Sequence, residues 1–419
     1  MSGAAQDCVA TVELGGVEYA AREHQYEASV LQIADTFSIV IPAPDGRVLG
    51  ADGSRTPIAN VATMGAPAVL YLSDPNVQGG RKIPKLRGCV TGRRMASDAQ
   101  SGTTLNVTGA DLGWKLSTCG VVFSNIRGVK WVKFLQQQLG LTVNPVTGAV
   151  AADAYNLGFQ GVRAGNLINR AIRLGRQAAQ SDFQQDISPT LQEPRFQVEV
   201  GETIDSILVT YAKLDHFLIN VSTDGWLQFF YPADSGVGKP YSATPLYQFF
   251  RYPAADPRSR LNNMINPVLD ESADPLHTQV ECWSTVIDTT DLDSTDPNAG
   301  RYHGVYVPPA SPLPFRRLHT FTDTEQMSQA RVDARAKWQY QRQVFDSWTY
   351  TFEAVGHSQN GAPFVEDTLC ELHDLVFGIE GVFYVTEIAP SRRLARAGAD
   401  KGAGTRCRIT VKKAGLLAA

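Results

Sequence analysis

Two stretches far apart in the chain follow one pattern, and that repetition constrains the fold more than any other feature. Residues 89–110 read CVTGRRMASDAQSGTTLNVTGA, and residues 383–415 read FYVTEIAPSRRLARAGADKGAGTRCRITVKKAG. In each, a Val-Thr pair (Val90-Thr91, Val385-Thr386) leads through a polar stretch to a Gly-Thr pair (Gly102-Thr103, Gly404-Thr405). An alternating strand follows, carried by Leu105 and Val107 in the first copy and by Cys407, Ile409 and Val411 in the second. Period-two alternation on both sides of a Gly-bearing polar loop is what an antiparallel hairpin with one buried face requires. Two such hairpins predict one β-module used twice with different material between them. The alternative is two ordinary hairpins alike by coincidence, since the loops differ in length.

With 419 residues the chain has room for two to four domains, at roughly 100–200 residues each. Charged residues make up 19% of it, below the usual level of about 25%, which hints that some outer surface is covered by other subunits. The 38 basic and 42 acidic residues leave a net charge of -4. A protein that grips nucleic acid through its phosphates needs an excess of Lys and Arg, so sequence-specific or general DNA binding is not expected. Arg392-Arg393 with Arg396 read as a solvated hairpin loop. The six cysteines show no CxxC spacing and several fall in strand-like runs, as expected of a reduced protein made in the cytoplasm. No secretory signal and no run long enough to span a membrane is visible, so no stable membrane insertion is expected.

Along the chain, residues 8–110 read as almost wholly β. Strands 8–14 and 17–20 flank the Gly15-Gly16 turn, 36–41 alternates up to Pro42, and 68–72 is a further strand, whereas 45–65 reads as a loop. This predicts a small barrel or sandwich over 1–112. A helix is expected over 129–139, with Gly140 as its cap, and another around 164–179 within an otherwise loop-like 141–192. Residues 202–214 have helical spacing, and strands 217–222 and 226–231 are joined by Asp224-Gly225, giving a helix-plus-hairpin insert over 113–262. From Met264 the chain turns β again, through a strand at 277–287 and an acidic loop at 288–300 that lacks the Gly and Glu a calcium loop needs. The longest helix is expected at about 324–344, capped by Thr320, Thr322 and Asp323. Strands 348–355, 368–373 and 376–379 then lead into the closing hairpin of a second β-module over 263–419.

No constellation for chemistry stands out. Cys370, His373 and Asp374 are close in sequence, but on a strand Cys370 and His373 point to opposite faces. The seven histidines lack paired ligand spacing, and there is no phosphate-binding glycine loop. Catalytic, cofactor and metal sites are therefore all expected to be absent. Phe229, Phe230 and Tyr231 read as core, while the aromatic run 247–252, set among prolines, reads equally as an exposed interface loop.

The order of these elements resembles the baseplate hub proteins of contractile-tailed phages of the Mu-like and T4-like kind. The resemblance rests on TFSIVIP and RGCVTGRRMA…TLNVTGADLGWKL in the first third. In the middle it rests on WVKFLQQQLGL and GETIDSILVTYAKLDHFLINVSTDGWLQFF. In the last third it rests on ARVDARAKWQYQRQ, WTYTFEAVG and VFYVTEIAPS…GTRCRITVKKAG. It implies an α+β, mainly β fold: two tail-tube-like antiparallel β-modules of barrel or sandwich form flanking the helix-plus-hairpin insert. It also implies a non-enzymatic virion protein, a homotrimer whose six modules imitate a sixfold ring. Its implied partners are the tail tube protein, the central spike protein, other baseplate proteins and the tape-measure protein, with the genome passing through the channel. Segments 141–195 and 288–320 have no match in that pattern. The alternatives are the hub of a type VI secretion or tailocin spike, where a β-helix is expected to continue beyond the hub, and a cell-wall-degrading hydrolase.

Overall fold

The computed structural model describes residues 8–98, 102–121, 138–143, 150–152, 157–159, 161–164, 201–214, 218–223, 225–230, 232, 245–287, 301–323, 328–393 and 404–416. Its frame is one sheet of 13 strands. The first half supplies β1 (Val9–Leu14), β2 (Val17–Ala20), β3 (Glu23–Ser29), β4 (Thr36–Pro42), β5 (Pro67–Ser73), β6 (Lys82–Asp98) and β7 (Gly102–Asp111). The second half supplies β8 (Tyr247–Arg251), β9 (Met264–Glu271), β10 (Trp348–Val355), β11 (Thr368–Asp374), β12 (Ile379–Arg393) and β13 (Gly404–Lys413). The path runs β9-β10-β13-β12-β3-β4-β7-β6-β5-β1-β2, with β11 beside β12 and β8 beside β11.

That order is a duplication. With the edge strand β2 set aside, the neighbours β3-β4-β7-β6-β5-β1 and β9-β10-β13-β12-β11-β8 are both, in chain order, the second, third, sixth, fifth, fourth and first strands of their half. All neighbours are antiparallel except β8, which lies parallel to β11 where β1 is antiparallel to β5. The closing hairpins agree to the residue. Val90 faces Gly109 and Gly92 faces Thr108, just as Val385 faces Val411 and Glu387 faces Thr410. Thr91 and Thr386 are thus the extra residues of two equivalent β-bulges, which bend a strand and increase its twist. The fold is mainly β, two tail-tube-like modules with a helix-bearing insert, as the sequence and its resemblance implied.

The strands form where the alternation demands it. In β10, Trp348, Tyr350, Phe352 and Ala354 are buried in turn, and in β4 Phe37, Ile39 and Ile41 are. One apolar cluster runs through both halves and includes Ile39, Leu105 and Val107 with Phe352, Ile409 and Val411. At Gly109 a Cβ would lie 2.2 Å from the Phe37 ring, so the aromatic side chain covers the bare backbone of the facing strand.

Inserts differ between the halves. The helix Ile204–Leu214 buries Ile204, Ile207 and Leu208 against the antiparallel strands Leu218–Val221 and Trp226–Phe230. Phe229 and Phe230 are core, as expected. In the second half, where the first has only residues 30–35 between β3 and β4, the chain adds a three-stranded sheet and a long helix. Strand Gln279–Ile287 pairs antiparallel with Arg301–Tyr306 and parallel with Leu318–Asp323. Helix Gln329–Asp346 lies on this sheet, with Val332 and Ala336 against Val280 and Cys282. Gly304 permits the approach, because a Cβ there would meet the Val332 carbonyl carbon at 2.5 Å.

Several expectations are corrected. Residues 45–65 are not all loop: Arg47–Leu49 and Arg55–Pro57 form a small hairpin, followed by the helical turn Ile58–Val61, because Val48 and Val61 are drawn into the core. Thr320, Thr322 and Asp323 cap nothing. They belong to the strand Leu318–Asp323, whose period-two alternation of β-branched and aromatic residues outweighs their capping preference. Residues 375–378 are a turn, not a strand, since Asp374 Oδ1 accepts from the backbone N–H of Val376 at 2.9 Å and of Phe377 at 3.1 Å. The stretch 141–192 holds the strand pair Leu141–Val143 and Val150–Ala152, and Gly161–Ala164 parallel to Trp226–Phe230. The helices expected at 129–139 and 164–179 lie outside the described residues, apart from Gln138 and Leu139 at the end of the first, and so does the acidic loop 288–300.

Candidate assembly interface

The two modules meet edge to edge through backbone pairing. In β3 and β12, Ser29 faces Glu387, Ala28 faces Ile388, Gln25 faces Ser391 and His24 faces Arg392, all antiparallel. This is possible because β12 changes partner at its bulge. Residues 379–385 pair with β11, whereas 387–392 pair with β3. The apolar side of the joint is closed by Ala28 and Ile388, both fully buried. Phe345, from the end of helix Gln329–Asp346, covers it further by packing on Val30 and Tyr384. Lys412 Nζ sits 5.3 Å from the Phe345 ring centre and donates to Thr349 Oγ1 at 2.6 Å. On the outer side the half-exposed Arg408 reaches Glu387 at 2.9 Å and Glu27 across the joint at 3.6 Å, pairs that contribute little at such exposure.

Two histidines are enclosed at the same joint. His24 and His357 stand edge to face, 5.3 Å between ring centres. His357 Nε2 donates to the Ser391 carbonyl at 3.0 Å, and neither ring nitrogen of His24 has a partner. Burial pushes His24 well below its ordinary value, with the charges of His357 and Arg392 adding to the effect. Burial also pushes His357 down, to about 4. Both rings are therefore neutral at pH 7 and act as apolar filling.

The first module carries the same strand with no second partner. After its bulge at Thr91, the far half of β6 pairs, among the described strands, with β7 alone, while the near half pairs with β5 up to Cys89. The counterpart of β3 in the second module, β9, pairs, among the described strands, with β10 alone. On both edges no described strand pairs with the outward backbone N–H and C=O groups, an arrangement that invites another strand. Apolar side chains are exposed on both, with Val268 51% and Met95 49% accessible.

The residues singled out for chemistry do not assemble into a site. Cys370 is buried and its thiol is pushed up by burial, while His373 turns outward, stacked on Phe250 and paired with Glu371 at 3.0 Å. Asp374 is fully buried and structural: it accepts from Arg251 at 3.2 Å and from the Tyr350 hydroxyl, besides holding the 375–378 turn. Among the described residues no three His, Cys, Asp or Glu side chains cluster to hold a metal. The 247–252 run is not an exposed loop. β8 is a strand of the main sheet, and Tyr247 and Phe249 are buried there because the strand packs on Phe352 and Phe364. Arg392 is likewise not a solvated loop residue but lies in β12 opposite His24, while Arg396 lies outside the described residues. A cleft of about 430 Å³ opens beside the joint, between residues 30–33, the insert and Arg335, Trp338 and Arg342. Two of its charged groups have ion-pair partners, Arg335 Nε with Asp323 at 2.9 Å and Arg342 Nε with Asp346 at 3.0 Å, while one terminal nitrogen of Arg335 is buried without a hydrogen-bond partner.

No protein-family model matches the chain, and no curated protein sequence is similar to it. Solved structures are. The tail protein from Neisseria meningitidis MC58 is 17% identical and superposes with a TM-score of 0.66, covering 98% of this chain and 98% of that one. The 43 kDa tail protein of prophage MuSo2 from Shewanella oneidensis is 16% identical, with a TM-score of 0.61 over 98% and 99% of the two chains. The prophage tail protein gp18 from Listeria monocytogenes is 10% identical, with a TM-score of 0.50 over 97% and 94%. At such identities the likeness is one of fold, and the chain has the fold of these phage tail proteins.

Proposed function

We propose that this chain is a non-enzymatic structural component of a phage tail, the hub of its baseplate. In this reading it assembles as a homotrimer whose six modules form a ring. The ring adapts the sixfold tail tube above to the threefold central spike below, with the genome passing through the channel. The observation that carries the reading is the repeated strand order, since two equivalent modules placed side by side give three chains six similar units. Heterologous contacts close into a ring only when one geometry repeats around the axis, and the joint between β3 and β12 supplies such a geometry. The fold shared with phage tail proteins supports the same reading. Modules spanning roughly 1–112 and 263–419, the latter with β8 added, would line the ring, and the insert between them would widen it. The tail tube protein, the spike protein, other baseplate proteins and the tape-measure protein are the partners this role requires, in the tail of the virion.

The test is the native mass of the purified chain with electron-microscope images of the same sample. A particle of three times 45.6 kDa with a central hole is expected. A chain that stays monomeric at every concentration, alone and with the tube and spike proteins, overturns the assignment. Incubation with peptidoglycan is expected to leave the glycan intact.

A further inference from the structure

We infer that neighbouring copies of this chain join by antiparallel pairing of β9 in one copy with the second half of β6 in the next, in the register that the chain's own joint prescribes. The inference rests on the ring reading above and deepens it. Within the chain, β3 of the first module pairs with the post-bulge half of β12 in the second. The counterparts of these two strands in the opposite modules are β9 and the post-bulge half of β6, and among the described residues neither has a strand on that side. In a ring the same joint therefore recurs, alternately inside a chain and between chains.

The register follows from the pairings. Val385 corresponds to Val90 across the two bulges, so Glu387 and Ile388 correspond to Gly92 and Arg93. Tyr26 faces Phe37, which faces Gly109, and Leu269 faces Tyr350, which faces Val411, the counterpart of Gly109. Tyr26 thus corresponds to Leu269, and Ala28 to Glu271. Transferring the internal joint then sets Glu271 opposite Arg93, Asp270 opposite Arg94, Leu269 opposite Met95, and Val268 opposite Ala96.

Nothing in the transfer required these pairs to match, yet each acid meets a base and each apolar residue an apolar one. Opposite charges and apolar pairs directly across a ladder stabilise it, while like charges oppose it. A slip of two residues would set Glu271 against Met95 and Asp270 against Ala96, so the charges also select the register. Val268, Asp270, Glu271, Arg94 and Met95 are exposed. Arg93 is exposed too, but one of its guanidinium nitrogens already donates to the carbonyls of Ala59 and Ala62 at 2.7 and 2.9 Å, so Asp270 with Arg94 is the charge pair on which the register leans.

The test is a disulfide between chains. Residues directly opposite in an antiparallel pair bring their Cβ atoms to about 4.5–5.5 Å, close enough for a bridge after small adjustment. Val268→Cys with Ala96→Cys, oxidised and run without reductant, is expected to give covalently linked trimers. The single variants, and Val268→Cys with Arg94→Cys, are expected to give few. Trimers by native mass that do not cross-link overturn the register and leave the ring reading standing, whereas a monomeric wild-type chain overturns both. An independent pair of variants guards against misfolding: Asp270→Arg and Arg94→Asp are each expected to lower the trimer fraction at least tenfold at fixed concentration and together to restore it. Lowering without restoration would also overturn the pairing.

Discussion

Acid should loosen this protein at the joint between its modules, and the size of the effect can be worked out. His357 is buried, and its folded-state value is about 4 against 6.5 for an ordinary histidine. Between those two values the unfolded chain binds a proton that the folded chain refuses, so stability falls as pH falls through that window and is fully present above it. At about pH 5 nearly all the unfolded histidine is protonated while the folded one is not, which costs about 2 kcal/mol from His357 alone. His24 shifts in the same direction and adds to the loss. Glu18, held below the usual carboxylate range by its bond to Lys82, loses its contribution as pH falls past the ordinary value of 4.5, below the acid point of the assay. His319, pushed down by burial, shifts in the same direction as the two joint histidines. The assay is urea unfolding by tryptophan fluorescence at fixed protein concentration, near pH 7.5 and near pH 5, with the m-value checked for constancy. The wild type should lose at least 2 kcal/mol, and His24→Gln with His357→Gln should lose much less between the same two conditions. An unchanged wild-type midpoint, or an equal loss in the double variant, would refute the reasoning.

Two further substitutions probe the second and first modules separately. Asp374→Ala should cost about 3–5 kcal/mol in urea unfolding, because it leaves Arg251, the Tyr350 hydroxyl and two turn N–H groups without their buried acceptor. Gly109→Val should lower the unfolding midpoint by about 1–3 kcal/mol through the clash with Phe37. Phe37→Ala in the same chain should recover part of it, and strict additivity of the two losses would count against the account.

What the sequence disclosed was whatever depends on neighbours in the chain. The alternation in β4 and β10, the Gly15-Gly16 turn and the helical spacing of Ile204, Ile207 and Leu208 are local patterns, and the structure follows them. The misreadings arose where distant contacts decide. The strand Leu318–Asp323 is held by pairing with Gln279–Ile287, some forty residues away, and its threonines suit a strand edge as well as a cap. β8 looks like a proline-flanked loop until β11 is present beside it. The open strand edges of β6 and β9 leave no mark in the sequence, because pairing of the backbone has no residue signature. One signal was present: the Val-Thr pairs, spaced identically from their Gly-Thr partners along the register, mark the two bulges.

Those bulges explain how a single strand can serve two neighbours. A regular strand flanked by β11 along its whole length would have no edge left for another module. The extra residue at Thr386 bends β12 away from β11, and the strand then meets β3. The threonine itself is anchored, its hydroxyl donating to the Thr410 carbonyl at 3.2 Å and its own carbonyl accepting from Val30 N–H at 3.0 Å, the first contact beyond the joint. In β6 the same bend frees residues 92–97 from β5, and no further strand among the described residues receives them. A duplicated module with this bend has one joint satisfied internally and one left over at each end, and the two leftover edges are complementary to each other. Within the described residues the two edges lie in one 13-stranded sheet and are not paired with each other. In the proposed ring, another copy of the chain would satisfy both edges with a geometry the protein already uses once.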